Sequence, residues 1–231
     1  MFDISPTEWT AILLSLRVAV IATLVATPFG IALAWLLARR DFWGKSLLDA
    51  AVHLPLVLPP VVTGYLLLLT FGKRGLVGGW LAEHLGIVFA FRWTGAALAC
   101  GVMSFPLLVR PIRLSIEAVD RRLEQAAETL GAAPWRVFAT VTLPLALPGV
   151  LAGMVLGFAK AIGEFGATIT FVSNIPGETQ TISSAIYSLI QTPDGDTAAA
   201  RLVIVSVVLA VGALIAAEVF ARRATARLHG Q

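Results

Sequence analysis

Uncharged stretches long enough to cross a lipid bilayer recur along this chain, and that recurrence excludes most soluble folds. A helix needs about 20 mostly apolar residues to cross roughly 30 Å of hydrocarbon. Residues 18–38, 50–72, 93–109, 137–159 and 202–221 are such stretches, the last with Glu218 close to its end, and 179–193 is a weaker sixth. With 58% hydrophobic and 13% charged side chains in 231 residues, the chain carries more apolar surface than one soluble core can hide, so a membrane must be the solvent. The first stretch is expected to stay as a helix. Asp3 and Glu8 precede it and Arg39, Arg40 and Lys45 follow it, the reverse of a cleaved signal peptide. The single cysteine, Cys100, lies in an apolar segment, where packing is its expected role.

Basic residues orient such a chain, because short cytoplasmic loops are enriched in Lys and Arg. An outside N-terminus places Arg39, Arg40, Lys45, Arg110, Arg113, Arg121, Arg122, Arg136, Arg222, Arg223 and Arg227 in the cytoplasm. Only Lys73, Arg74, Arg92 and Arg201 then remain outside, with Arg17 and Lys160 at or within spans. An odd number of crossings puts the C-terminus inside, so 179–193 must not cross fully. Residues 181–190 are read as a half-helix or re-entrant segment, tolerated at membrane depth only where protein or a water-filled cavity covers it. The expected fold is all-α and polytopic, about five transmembrane helices plus that half-helix, N-terminus outside and C-terminus cytoplasmic. The net charge of +3 follows from this topology and implies no nucleic-acid partner.

Between the third and fourth spans lies a polar loop with a helical pattern. Leu123, Ala126, Ala127 and Leu130 recur at i, i+3, i+4 and i+7, while Arg121, Arg122, Glu124, Gln125 and Glu128 take the other face. Asp120 can cap the start, Gly131 can end the helix in a left-handed conformation, and Pro134 suits the first turn of the next helix. Small side chains on a cytoplasmic helix let a second protein approach its backbone closely. The competing reading is an interfacial helix lying on lipid headgroups.

Gln125-Ala126-Ala127, then Gly131, then Val141-Thr142-Leu143-Pro144 resembles the EAA loop of binding-protein-dependent ABC importers. All the spacings match; Gln125 stands where the pattern has Glu, and Val141 where it has Ile. The resemblance implies that residues 120–147 form a cytoplasmic coupling loop within a single transmembrane domain, 1–231. Its docking helix would sit in a cleft of an ATPase subunit, with Gln125, Ala126, Ala127, Leu130, Gly131, Leu143 and Pro144 as the coupling residues.

No nucleotide site is expected in the chain itself. Gly44-Lys45-Ser46 looks like the end of a phosphate-binding loop, but Arg39 occupies the place of the required first glycine and no strand precedes it. His53, His84 and His229 are far apart in sequence, so no hydrolytic constellation, metal or cofactor is implied, and His53 reads as structural. Pro55, Pro59 and Pro60 crowd the second span and Pro106 the third, each removing an amide donor, as a kinked packing helix or a gate would show. Gly149, Gly153 and Gly157 form a stripe for close helix approach. Lys160 and Glu164, four apart, share a helix face and can pair in the membrane, either as a neutralised strut or as a functional site. Beyond them, Thr168, Thr170, Ser173 and Asn174 carry groups that could donate hydrogen bonds to an oxyanion, or simply satisfy helix carbonyls.

The run from Gly163 to Gln180, together with His53–Tyr65 and Met103-Ser-Phe-Pro106, closely resembles the molybdate permeases among ABC importers, over nearly the whole chain. Lys160 stands where Arg is expected there, keeping charge without bidentate geometry. The resemblance implies an inner-membrane homodimer with two cytoplasmic ATPase subunits and a periplasmic molybdate-binding protein. Lys160, Glu164, Thr168, Thr170, Ser173 and Asn174 would belong to its pathway or gate. Sulfate and tungstate make similar demands on hydrogen-bond donors and stay open as substrates. A proton-coupled secondary transporter is the competing class, opposed by the loop and by the lack of a clear internal repeat.

Overall fold

Ser5 fixes the start of the first helix. Its hydroxyl accepts the Glu8 amide at 3.2 Å and Glu8 Oε2 accepts the Ser5 amide at 2.6 Å, a reciprocal capping box. From there α1 (Pro6–Arg39) runs 34 residues, about 50 Å at 1.5 Å per residue, so the 18–38 stretch is the inner part of a longer helix. The computed structural model describes residues 4–228, with side chains up to Ala216 and at Val219. Asp3 and His229, and the side chains of Glu218, Arg222, Arg223 and Arg227, lie outside the described residues.

The 50–72 stretch is not one straight helix. It divides into α2 (Lys45–Val57) and α3 (Pro60–Phe71), whose axes turn by 116° at Leu58 and Pro59. Consecutive prolines withhold two amides from the ladder, and the residue before each is pushed out of helical geometry. Pro55, by contrast, is absorbed within α2. A short helix, α4 (Leu76–Leu85), follows, outside the apolar stretches. The third span, α5 (Trp93–Ala118), continues through Pro106 and Pro111 and nine residues past the expected boundary. Ion pairs extend it: Arg113 bonds Glu117 at 2.8 Å and Asp49 of α2 at 2.9 Å, and His53 Nδ1 lies 2.8 Å from the Asp49 carbonyl.

After α5 come α6 (Arg121–Thr129) and α7 (Pro134–Val137). A π-helical turn over Phe138–Thr142 leads from α7 into α8 (Leu143–Ile162). Pro144 has no amide for the Thr140 carbonyl, and the ladder widens just before it, Leu143 bonding back to Phe138. The chain ends with α9 (Gly166–Val172), α10 (Ile182–Leu189) and α11 (Asp196–Leu228). Within the 181–190 segment, α10 is thus a short helix of half-span length. Four segments, Pro6–Arg39, Trp93–Ala118, Pro134–Ile162 and Asp196–Ala216, are long and apolar enough to cross a membrane, and the bent α2–α3 pair makes a fifth. No strand occurs among the described residues.

The centre of the bundle is α5, packed on α8 and α1, with α11 on α8 and α3 on α9. Cys100 is buried there, its Sγ 3.5 Å from the Ala161 carbonyl. The glycine stripe of α8 faces α5 unevenly. A Cβ at Gly153 would stand 2.5 Å from the Leu108 carbonyl and one at Gly149 2.6 Å from the Pro111 carbonyl, whereas one at Gly157 would meet only the Leu108 side chain at 3.5 Å. Gly153→Val is therefore expected to push α8 off α5 and destabilise the bundle by at least about 1–3 kcal/mol, while Gly157→Ala is tolerated. Thermal unfolding in detergent separates the two.

Candidate functional site

The residues singled out from sequence fall in two places: the polar loop between α5 and α8, and the break between α8 and α9.

In the loop, local signals set the helix. Asp120 Oδ1 accepts the Arg122 amide at 2.9 Å at the start of α6. At its end Gly131 is left-handed, with φ +84°; its amide bonds the Glu128 carbonyl and the Ala132 amide bonds Ala127, a Schellman closure that satisfies the last carbonyls. Leu123, Gln125, Ala126 and Leu130 are exposed, Leu130 at 89%, and Ala127 is half-buried. Apart from Ala127, the apolar face of α6 therefore has no cover among the described residues. Leu143 packs into the cluster around Leu108 and Ile112, and Pro144 lies exposed in the first turn of α8.

The polar face ties α6 down instead. Glu124 pairs with Arg39 Nε at 3.1 Å and accepts the Thr142 hydroxyl at 2.5 Å, while Arg39 Nη2 donates to the Val119 carbonyl at 3.0 Å. Glu124 thus joins α6 to the end of α1 and to the π-helical turn. The sequence pattern places Glu124 on the solvent face, and no local signal points to a partner 85 positions away. Removing one partner of a largely buried pair leaves the other uncompensated. Glu124→Ala is expected to cost about 3 kcal/mol and to loosen α6, read as faster amide exchange over residues 121–131.

At the membrane break, α8 ends at Ile162 and α9 begins at Gly166. Lys160 Nζ lies 2.7 Å from Glu164 Oε2, and Glu164 Oε1 accepts the Ala167 amide at 3.0 Å. Glu164 is buried and both its oxygens are used: one neutralises Lys160 and the other caps α9, where the helix dipole also favours an anion. The hydroxyls of Thr168 and Thr170 each donate at 2.8 Å, to the Phe165 and Gly166 carbonyls, so neither proton is free for a ligand in this conformation. Thr170 and Ala167 form the seat for Gly64 of α3, whose added Cβ would lie 2.5 Å from the Ala167 carbonyl.

Ser173 and Asn174 form a separate group beyond α9. Ser173 is exposed with φ +65° and ψ −166°, a region essentially reserved for glycine and costing about 1–3 kcal/mol elsewhere. Thr179 helps hold it, its hydroxyl donating to the Ser173 carbonyl at 3.2 Å and accepting the Ile175 amide at 2.9 Å. Asn174 Nδ2 lies 2.6 Å from Ser188 Oγ of α10, and Asn174 Oδ1 is buried without a partner among the described residues. The structure therefore brings Lys160 and Glu164 together, joins Asn174 to α10 through Ser188, and ties Ser173 to Thr179. It gathers no single ring of donors from all six residues.

Residues 26–226 match the family described as "Binding-protein-dependent transport system inner membrane component". The molybdenum transport system permease protein ModB of Escherichia coli K12 is 63% identical over 215 residues, covering 93% of this chain and 94% of that protein. ModB of Haemophilus influenzae is 57% identical over 96% of each. The sulfate transport system permease protein CysT of Escherichia coli K12 is 37% identical, over 91% of this chain and 75% of CysT. In fold, the chain resembles a bacterial ABC transporter involved in alginate import, at TM-score 0.73 and 21% identity over 95% of this chain and 80% of that one. The MetNI methionine ABC transporter is similar too, at TM-score 0.66 and 15% identity over 96% of this chain and 99% of that one. With its apolar helices and these likenesses over nearly its whole length, the chain belongs to the multi-pass inner-membrane components of binding-protein-dependent transport systems.

Proposed function

We propose that this chain is the membrane subunit of an ATP-driven importer of molybdate. It works as a homodimer, takes the oxyanion from a periplasmic molybdate-binding protein, and has two ABC ATPase subunits beneath it that hydrolyse the ATP. Residues 1–231 form one transmembrane domain, its N-terminus outside and its C-terminus cytoplasmic. Residues 120–147 are the coupling loop, in which Gln125, Ala126, Ala127 and Leu130 meet the ATPase. Gly131 closes the docking helix, and Leu143 and Pro144 pass its motion into α8.

The observation that carries this reading is the bare apolar face of α6 on a helix fixed to the bundle by Glu124. A helix resting on headgroups needs no such fixture, whereas one that transmits force does. Along the membrane, Lys160 and Glu164 act as the strut that holds α8 to α9, and Thr168, Thr170, Ser173 and Asn174 belong to the translocation pathway or gate. The 63% identity with a molybdenum permease supports molybdate, and the 37% identity with a sulfate permease motivates the second reading, a general oxyanion permease.

ATP-dependent uptake of labelled molybdate into vesicles holding this chain, its ATPase and its binding protein tests the substrate. Competition by tungstate but not by sulfate is the expected result. Equal competition by sulfate would move the assignment to general oxyanions.

A further inference from the structure

Beside the transport machinery, α1, α2 and α5 enclose an apolar groove of about 670 Å³. Its walls include Ile21 and Val25 of α1, Val52 and Pro55 of α2, and Ala97 and Phe105 of α5. It is open sideways, since Val25 and Phe29 on its rim are 58% and 65% exposed. From Trp93 at one end to Phe105 at the other it follows α5 for 12 positions, about 18 Å, close to the roughly 15 Å of hydrocarbon in one leaflet.

A cation stands at its mouth. Arg17 is one helical turn before Ile21, on the same face of α1, and its guanidinium lies 3.7 Å from the centroid of the Trp93 ring. Arg17 and Arg39 are 22 positions apart on one helix, about 33 Å, so if Arg39 marks one membrane interface Arg17 lies near the other, at headgroup depth. No carboxylate lies within ion-pair distance of Arg17 among the described residues. An apolar slot one leaflet deep, open to the bilayer and topped by an unpaired arginine on an interfacial tryptophan, matches a phospholipid in both shape and charge.

We infer that this groove is a binding site for one anionic phospholipid of the leaflet on the N-terminal side, with an acyl chain lying along α5 and its phosphate on Arg17. The site lies apart from the α8–α9 break and from α6, and the inference does not depend on which oxyanion is carried. The lipid would fill the space that α2 leaves as it turns away at Pro59, and so brace the bent second span against α1 and α5.

The test reconstitutes the full chain with its ATPase into phosphatidylcholine nanodiscs doped with phosphatidylglycerol, then counts lipid retained per chain by native mass spectrometry after detergent exchange. Wild type is expected to retain phosphatidylglycerol in preference to phosphatidylcholine. Arg17→Gln, at an exposed position, should lower that retention about tenfold, the change that loss of one charge-assisted hydrogen bond gives. Gly101→Phe should reduce retention of both lipids by filling the groove. A Cβ there meets only the Ala22 carbonyl, at 3.8 Å, and Gly101 lines the groove, so a side chain can leave the backbone there without displacing α1. Retention equal to wild type in both variants would overturn the inference, as would no retained lipid in the wild type. So would thiol cross-linking of Val25→Cys between two copies of the chain, which would place protein in the groove.

Discussion

Ala126→Glu is expected to abolish ATP-dependent uptake while leaving the unfolding temperature of the membrane bundle unchanged. Ala126 is exposed in the middle of the bare face of α6, so a larger side chain has room to point away from the described residues. In a docked complex the same carboxylate would be buried against a partner without a counter-charge. Desolvating it there costs about 3 kcal/mol or more, beyond a hundredfold in affinity. Ala126 is the better position to change than Ala127, which is half-buried and would mix a stability effect into the result. Ala126→Ser, small and neutral, should keep both assembly and uptake. Copurification of the ATPase subunit separates a lost interface from a lost fold.

The second large effect is expected at the α8–α9 break. Glu164→Ala leaves the Lys160 ammonium without its partner at 2.7 Å and the Ala167 amide without its acceptor, a loss of about 3–5 kcal/mol. A buried pair replaced as a unit by neutral groups of similar size is often near neutral. Lys160→Met combined with Glu164→Gln is therefore expected to restore most of the stability and, for a strut, most of the uptake. Stability restored without uptake would instead assign the pair a functional charge. The same double variant addresses proton coupling, because a carrier that needs a titrating Glu164 would lose its response to the proton gradient.

What could be read from the sequence follows the range of the interactions involved. Asp120, Gly131 and Pro134 act on amides and carbonyls within a few positions, and α6 begins, ends and hands over to α7 where they imply. The apolar spans were legible because composition alone demands them. Where α2 and α3 part was signalled by Pro59 and Pro60, but the 116° turn depends on α3 packing against α9 at Gly64, Ala167 and Thr170, a contact a hundred positions away that no local pattern contains. Glu124 was hidden for the same reason. Its helical position reads as solvent-facing until Arg39 and Thr142 are seen beside it. For Thr168 and Thr170 the sequence leaves two readings open, oxyanion donors or hydroxyls that satisfy helix carbonyls, and in this conformation each hydroxyl bonds a carbonyl at the start of its own helix.

Cross-linking from Ala126→Cys in the assembled importer tests the coupling claim most directly, since Cys100 is buried and leaves position 126 as the reactive thiol. A photoactivatable label at that thiol is predicted to join the chain to its ATPase subunit and to stop ATP-dependent molybdate uptake once joined. A label that couples only to lipid, with uptake intact, would contradict the account and make α6 a helix that rests on the membrane surface.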